Sequence, residues 1–191
     1  PRRVMEPYNE CWIYSGSAKE RLWNKSAIGQ KTNGNNLLLS SSEVIFCHDH
    51  RHLDWPYENW LNEETKKKPN LINEAIILEA LRVPGNKVML TEKLGEKNEL
   101  IFSRETWGLR WNSNCHPRVD EPESEVSWFH SSEYINMNEL LSWTIDVQAR
   151  KRIAEVLVVD NEQAVVTYNV TSENPFGELS PPNRDDINLI L

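Results

Sequence analysis

INMNELLSWTIDVQARKRIAEVLVVDNEQAVVTYNV, residues 135–170, is the stretch whose reading decides the fold. Its first half, residues 135–152, is patterned as a helix and ends on the basic triplet Arg150, Lys151 and Arg152. An apolar run follows at 153–160, then the short acidic turn Asp160-Asn161-Glu162-Gln163, then a second run at 165–170. Both runs are rich in β-branched residues, which suit a pleated and half-buried surface, so they read as two strands of a hairpin. The turn is expected to expose two carboxylates at its tip. Helix, basic helix end, strand, acidic turn and strand make a compact α+β unit.

Upstream, residues 10–14 read as a short strand and 15–25 as a helix, with Ser17 as its cap and Glu20 three residues on. Residues 29–36 form a polar turn and 37–39 a brief apolar strand. Ser40-Ser41-Ser42-Glu43 opens the next helix. Residues 54–69 are a charged, Trp-containing connector with room for its own helix. The apolar spacing over 70–82 predicts a helix that Pro84-Gly85 ends. Strands are predicted at 87–90, 99–102 and 126–129, with a polar loop over 103–124. The expected fold class is α+β: a small N-terminal α/β domain with connector over 10–68, a mixed-sheet domain flanked by helices over 69–171, and a tail over 172–191.

At 191 residues the chain can bury a substantial core, and a net charge of −8 leaves no chain-wide basic footprint for nucleic acid. Any such contact must be local or shared with a more basic partner. Three cysteines do not make a disulfide framework and point to a reducing compartment. Core packing is the default for each of the eight Trp, although Trp also favours subunit interfaces. The triplets at Asn24 and Asn169 match the glycosylation pattern by chance frequency alone. No signal-type segment and no apolar run near the ~18 residues of a membrane span occurs, so a soluble intracellular protein is expected, nuclear in a eukaryote and cytoplasmic otherwise.

CWIYSGSAKERLWNKSAIGQ (11–30), NLLLSSSEVIFC (36–47), ILEALRVPGNKVMLTEKLGEKNELIF (77–102) and the closing unit together resemble the subunits of tRNA-splicing (tRNA-intron) endonucleases. Element order and spacing carry the likeness over most of residues 11–170. The resemblance implies RNA cleavage without metal or other cofactor: the 2′-hydroxyl attacks the adjacent phosphate, with a Tyr as base, a His as acid and a Lys as the fixed cation. The Tyr position falls on Phe102, which cannot take a proton. The Lys position falls on Arg152, with Lys151 beside it, and the His position falls at Glu123 or Ser124. His116 and His130 flank that strand. The resemblance thus implies a structural subunit with a degenerate triad. It also implies partner subunits, docked through Asp160, Asn161, Glu162 and Gln163 and through a strand edge at Val165, Val166 and Tyr168, and precursor tRNA as substrate of the assembly. Arg150, Lys151 and Arg152 are the candidate RNA contacts.

Two alternatives stand beside this reading: an active endonuclease subunit with His116 as acid and Lys151 or Arg152 as cation, and an unrelated α+β scaffold that binds protein only. Residues 47–52, CHDHRH, tempt a zinc reading, with His48 and His52 at i, i+4, but no metal site is assigned. Lys66-Lys67-Lys68 reads as a solvated run. Ser41, His48 and Asp49 lack the glycines of a nucleophile elbow.

Overall fold

A computed structural model describes residues 4–93 and 100–172 of the chain. Two sheets and five helices follow in an α+β arrangement. The first sheet holds β1 (Met5–Tyr8), β2 (Cys11–Tyr14), β3 (Gln30–Lys31) and β4 (Leu37–Leu39), in the order β1-β2-β4-β3. Helix α1 (Lys19–Ser26) links β2 to β3. Three helices follow: α2 (Ser41–Arg51), α3 (Trp60–Lys67) and α4 (Leu71–Arg82).

The second sheet is mixed and runs β5-β6-β7-β8-β9. Its strands are β5 (Lys87–Leu90), β6 (Gly108–Trp111), β7 (Ser124–His130), β8 (Ile153–Val159) and β9 (Val165–Val170). Only β7 and β8 are parallel, joined by the crossover helix α5 (Met137–Ala149). A parallel pair needs such a crossover, whereas β8 and β9 close as an antiparallel hairpin across the acidic turn.

The alternation along β8 places the sheet between two layers. Leu157 and Val159 join the main core with α2 and α4, while Ala154 and Val156 pack under α5 with Leu140, Trp143 and Val147. Successive strand residues point to opposite faces, so one run of seven residues serves both cores. The main core is continuous from Met5 through Val159. The Trp residues are core residues: five are buried, and Trp55, Trp107 and Trp128 pack against the main cluster.

Several sequence expectations need correction. Helix α1 starts at Lys19, and Ala18 precedes it without a side-chain cap. Both the amide and the hydroxyl of Ser15 donate to Val4 O, which ties that segment to β1 rather than to a helix. Strand β1 was not foreseen. The loop expected over 103–124 contains β6, and residues 100–102 are irregular, so the partner of β5 lies later in the chain than predicted. Glu99 and residues 173–191, which held part of that predicted strand and most of the tail, lie outside the described residues. In helix α5, Asn136 is the cap: its Oδ1 accepts from Asn138 N at 3.1 Å and from Glu139 N at 3.4 Å.

Candidate functional site

The end of α5, the start of β7 and residues 100–106 converge on one side chain, Glu125. Glu125 is fully buried in β7. Its Oε1 accepts from Arg150 Nε at 2.6 Å and Arg152 Nη1 at 2.9 Å. Its Oε2 accepts from Thr106 Oγ1 at 2.6 Å, Arg150 Nη2 at 3.0 Å and Ser103 N at 3.3 Å. Trp143 Nε1 donates to Thr106 Oγ1 at 2.9 Å and holds that hydroxyl in place. Burial pushes the Glu125 carboxyl upward, but the Arg150, Thr106 and Ser103 hydrogen bonds outweigh it and hold the pKa below the ordinary value. An ionised carboxylate saturated by five donors is neither an acid nor an available base at neutral pH. It is an electrostatic lock on two arginines.

Two of the positions that the resemblance singles out border this lock, Arg152 within it and Phe102 next to Ile101. Arg152 Nη1 also donates to Ile101 O, beside Phe102, and Ile153 N donates to Glu123 O at 3.0 Å. Phe102 is half-buried and packs against the main core. The Glu123 carboxylate is held at 2.8 Å by Arg110 Nη1. Arg110 Nε in turn reaches Glu155 Oε2 at 2.6 Å, which also accepts from Ser124 Oγ at 2.6 Å. The side chains at these positions are apolar or already paired: Phe102 packs on the main core, Glu123 pairs with Arg110, and Arg152 with Glu125.

The other candidates fall elsewhere. His116 Nδ1 accepts from Arg118 N at 3.1 Å, which leaves Nε2 to carry the proton and donate to Trp23 O at 3.0 Å. Its ring stands edge-on to Trp23 at 5.3 Å, so it clasps the 112–120 loop to α1. His130 Nδ1 is bonded to Ser132 Oγ at 2.7 Å. Lys151 is exposed, in a left-handed conformation just past α5. In the acidic turn, Asp160 is half-buried, and its Oδ1 accepts from Glu162 N at 2.8 Å and Ala164 N at 2.9 Å. The expectation of two free carboxylates at the tip is therefore corrected: Asp160 builds the turn, and Glu162 is the carboxylate presented. Asn161 and Gln163 are exposed beside it. Val165 touches the main core, Tyr168 packs toward α5, and Val166 is 50% exposed on a strand that pairs with β8 alone among the described residues.

The histidine run does not gather a metal site. His48 stacks on Trp55 with ring centres 3.7 Å apart and bonds Asp49, while His50 bonds Glu79 at 2.7 Å. His52 caps α2 in a left-handed conformation, so it leaves the helical spacing that would put it over His48. Burial pushes the Cys47 thiol up to about 12, an inert sulfur at neutral pH. Among the described residues no group of three or more His, Cys, Asp or Glu is placed to hold a metal ion, and no helix is long and apolar enough to cross a membrane. In the lysine run, Lys67 and Lys68 pair with the buried Glu64.

Sequence reasoning missed Glu125, Arg110 and Glu155. A signal existed: each is a charge inside a strand whose neighbours are buried, and such a charge requires a partner.

Two carboxylates outside the site, Glu74 and Glu92, are perturbed upward by burial. Burial, and then the charge of Glu92, push Glu74 on α4 up to about 7. Its protonated form is favoured in the folded state, so the folded chain holds a proton that the unfolded chain releases between the ordinary carboxylate range and that value. Stability is therefore lost as pH rises through that window. Glu74→Gln is expected to raise the unfolding free energy at pH 8 by about 1 kcal/mol after solvent screening, and to change little at pH 5. Thermal melts of both proteins at the two pH values check this; equal shifts at both would overturn it.

No protein-family model matches the chain, and no curated protein sequence matches it.

Proposed function

We propose that the chain is a non-catalytic, structural subunit of an assembly of the tRNA-splicing endonuclease type, which removes introns from precursor tRNA. The observation that carries this reading is the closure of Arg152. At the position where such an enzyme needs a free cation facing phosphate, the guanidinium is buried, with its side chain 8% exposed, and locked to Glu125. With Phe102 there, the base position has no proton acceptor, and Arg152 offers no open charge to a pentavalent phosphate.

What remains on offer is docking. Among the described residues strand β9 is a sheet edge with Val166 exposed, the kind of edge that accepts another strand through backbone hydrogen bonds. Glu162 stands at the tip of the adjoining turn, where a single carboxylate against a basic groove would set partner choice and register. Leu141 and Ile145, one turn apart on the outer side of α5, are each about half exposed (49% and 48%) and extend the apolar surface.

The test is co-purification of the chain with its partners followed by cleavage of an intron-containing precursor tRNA. The chain alone is expected to leave the substrate uncut, and the assembly to cut it. His116→Ala in the assembly is expected to leave the rate within about twofold, because a clasp contributes nothing to the transition state. Cleavage by the isolated chain, or its loss in a folded His116→Ala assembly, would overturn the reading. Val166→Lys is expected to release the partners from a chain that still melts normally.

A further inference from the structure

We propose that the pocket between α1 and the end of α2 is a phosphate-binding site that holds the backbone of an RNA strand. The cavity measures about 340 Å³. Five of its seven lining residues are basic: Arg21, Lys25, His50, Arg51 and His52; the others are Leu22 and Ser26. Among the described residues no carboxylate lines it, in a chain whose net charge is −8. The nearest acidic contact is at its rim, where Glu79 bonds His50.

Cations near helix C-termini have an ordinary explanation, since they complement the dipole and the free carbonyls. At the end of α1 those carbonyls are already served. Ala27 N and Ile28 N close the end of α1 onto Trp23 O and Leu22 O, and Arg82 donates to Ser26 O at 2.9 Å and Ala27 O at 3.1 Å. At α2, Leu53 N donates to Cys47 O. Arg21 lies in the body of α1 and caps nothing. Arg21 and Lys25 are a like-charged i, i+4 pair, a mildly unfavourable arrangement for a helix on its own. Among the described residues no carboxylate lies within ion-pair distance of Arg21, Lys25, Arg51 or His52. The one acid nearby on α1, Glu20, is engaged by Lys31 at 3.1 Å. Arg51 sits over the Phe46 ring at 5.3 Å and donates one N–H to His50 O, which fixes the guanidinium while leaving other N–H groups for a ligand.

The chemistry favours phosphate, because guanidinium groups match its oxygens in fork geometry and two histidines add charge when protonated. Among the described residues the lining holds no Trp, Tyr or Phe, and one of its two imidazoles is taken by Glu79, so cationic groups for phosphate outweigh surface on which a base would stack. A site that reads phosphate and not base is a backbone contact. Free inorganic phosphate presents the same chemistry, and the experiment separates the two sources.

The full chain, without partner subunits, is titrated against a fluorescein-labelled RNA hairpin over a range of salt concentrations, for the wild type and for Arg21→Ala/Lys25→Ala. Both residues are exposed, so the variant is expected to melt like the wild type. Its RNA affinity is expected to fall on the order of tenfold, and the slope of log K against log salt to become shallower by about two contacts. A second arm follows the His52 ring resonances by NMR during addition of inorganic phosphate, with Arg51→Lys as the fork-removing variant. Phosphate shifts at His52 that weaken in Arg51→Lys, together with the loss of RNA affinity, support the proposal. Unchanged RNA affinity and slope overturn it, and phosphate shifts in that case assign the pocket to free phosphate. Because no partner is present, failure here leaves the docking reading untouched, and a failed co-purification leaves this pocket untouched.

Discussion

Glu125→Ala is expected to lower the unfolding free energy by about 3–5 kcal/mol, the cost of leaving buried charge without its partner. The expectation follows from the geometry. Removing the carboxylate takes five hydrogen bonds from a fully buried point and leaves Arg150 with Ser103 Oγ, and Arg152 with Ile101 O and the exposed Glu121 at 3.4 Å, as their remaining partners. Urea unfolding monitored by the eight Trp measures the loss. Glu125→Gln keeps the shape and part of the hydrogen bonding, and should fall between the wild type and Glu125→Ala. Adding Arg152→Met to Glu125→Ala should recover part of the loss, since an apolar side chain tolerates the site that an unpaired guanidinium does not. Because the folded pKa of Glu125 is depressed, its contribution is fully present above the ordinary carboxylate pKa and disappears as pH falls through the folded value. The difference between wild type and Glu125→Ala should therefore shrink in acid. A loss under about 1 kcal/mol at neutral pH would mean that the lock is ornamental, and with it the closure of Arg152 that carries the functional reading.

The parts of the fold that could be read in advance are those where local sequence and tertiary environment agree. Strand β8 alternates between two cores, and its neighbour β9 begins and ends where the pattern placed it. Helix α2 carries a complete capping box, Ser40 Oγ accepting from Glu43 N while Glu43 accepts from Ser40 N. Elements made by their neighbours were hidden. Strand β6 contains Gly108 and Arg110 and has no alternating pattern, yet it lies between β5 and β7, whose backbones supply its ladder. Strand β1 includes Glu6 and Pro7 and exists because β2 pairs with it. Residues 100–102 read as part of a strand because Leu100, Ile101 and Phe102 are apolar, but they are irregular, and the guanidinium of Arg152 engages Ile101 O.

The site shows the same division. The resemblance aligns Phe102 and Arg152 with its base and cation positions, but the environment of Arg152 depends on Glu125, which lies 27 residues earlier. No local pattern announces which buried charge will meet which. A sequence can state that Glu125 and Glu155 need partners; pairing them with Arg150, Arg152 and Arg110 requires the sheet order. The basic pocket likewise draws on two helices separated by β3 and β4, so neither α1 nor α2 reveals it alone.

Glu43→Ala is expected to be as damaging as the loss of Glu125, and for a reason that reaches the opposite half of the molecule. Glu43 has no solvent exposure and joins four segments. Its Oε2 accepts from Ser40 N at 2.9 Å and from Lys93 Nζ, and its Oε1 accepts from Gly29 N at 3.3 Å and lies 4.0 Å from Arg82 Nη2. Gly29 is held close by the same arrangement: it has φ +77°, and a Cβ there would come within 2.8 Å of Leu39. Burial raises the Glu43 pKa, but the charges of Lys93 and Arg82 outweigh it, so the group is ionised in the fold and the pH sign is that of Glu125. The two cations do not depend on it equally. Arg82 has Ser26 O, Ala27 O and Val88 O as further acceptors, whereas among the described residues Glu43 is the one acceptor of Lys93. Glu43→Ala should thus cost about 3–5 kcal/mol, a fall in Tm on the order of 10 °C for a chain of this size. Most of that loss should trace to a stranded Lys93. Lys93→Met in the Glu43→Ala background should restore more stability than Arg82→Met in the same background, which removes a side chain still serving three carbonyls. Thermal melts of the two double variants decide between them. The opposite ranking would place the energy of this junction in Arg82 and its carbonyls rather than in the Glu43–Lys93 pair.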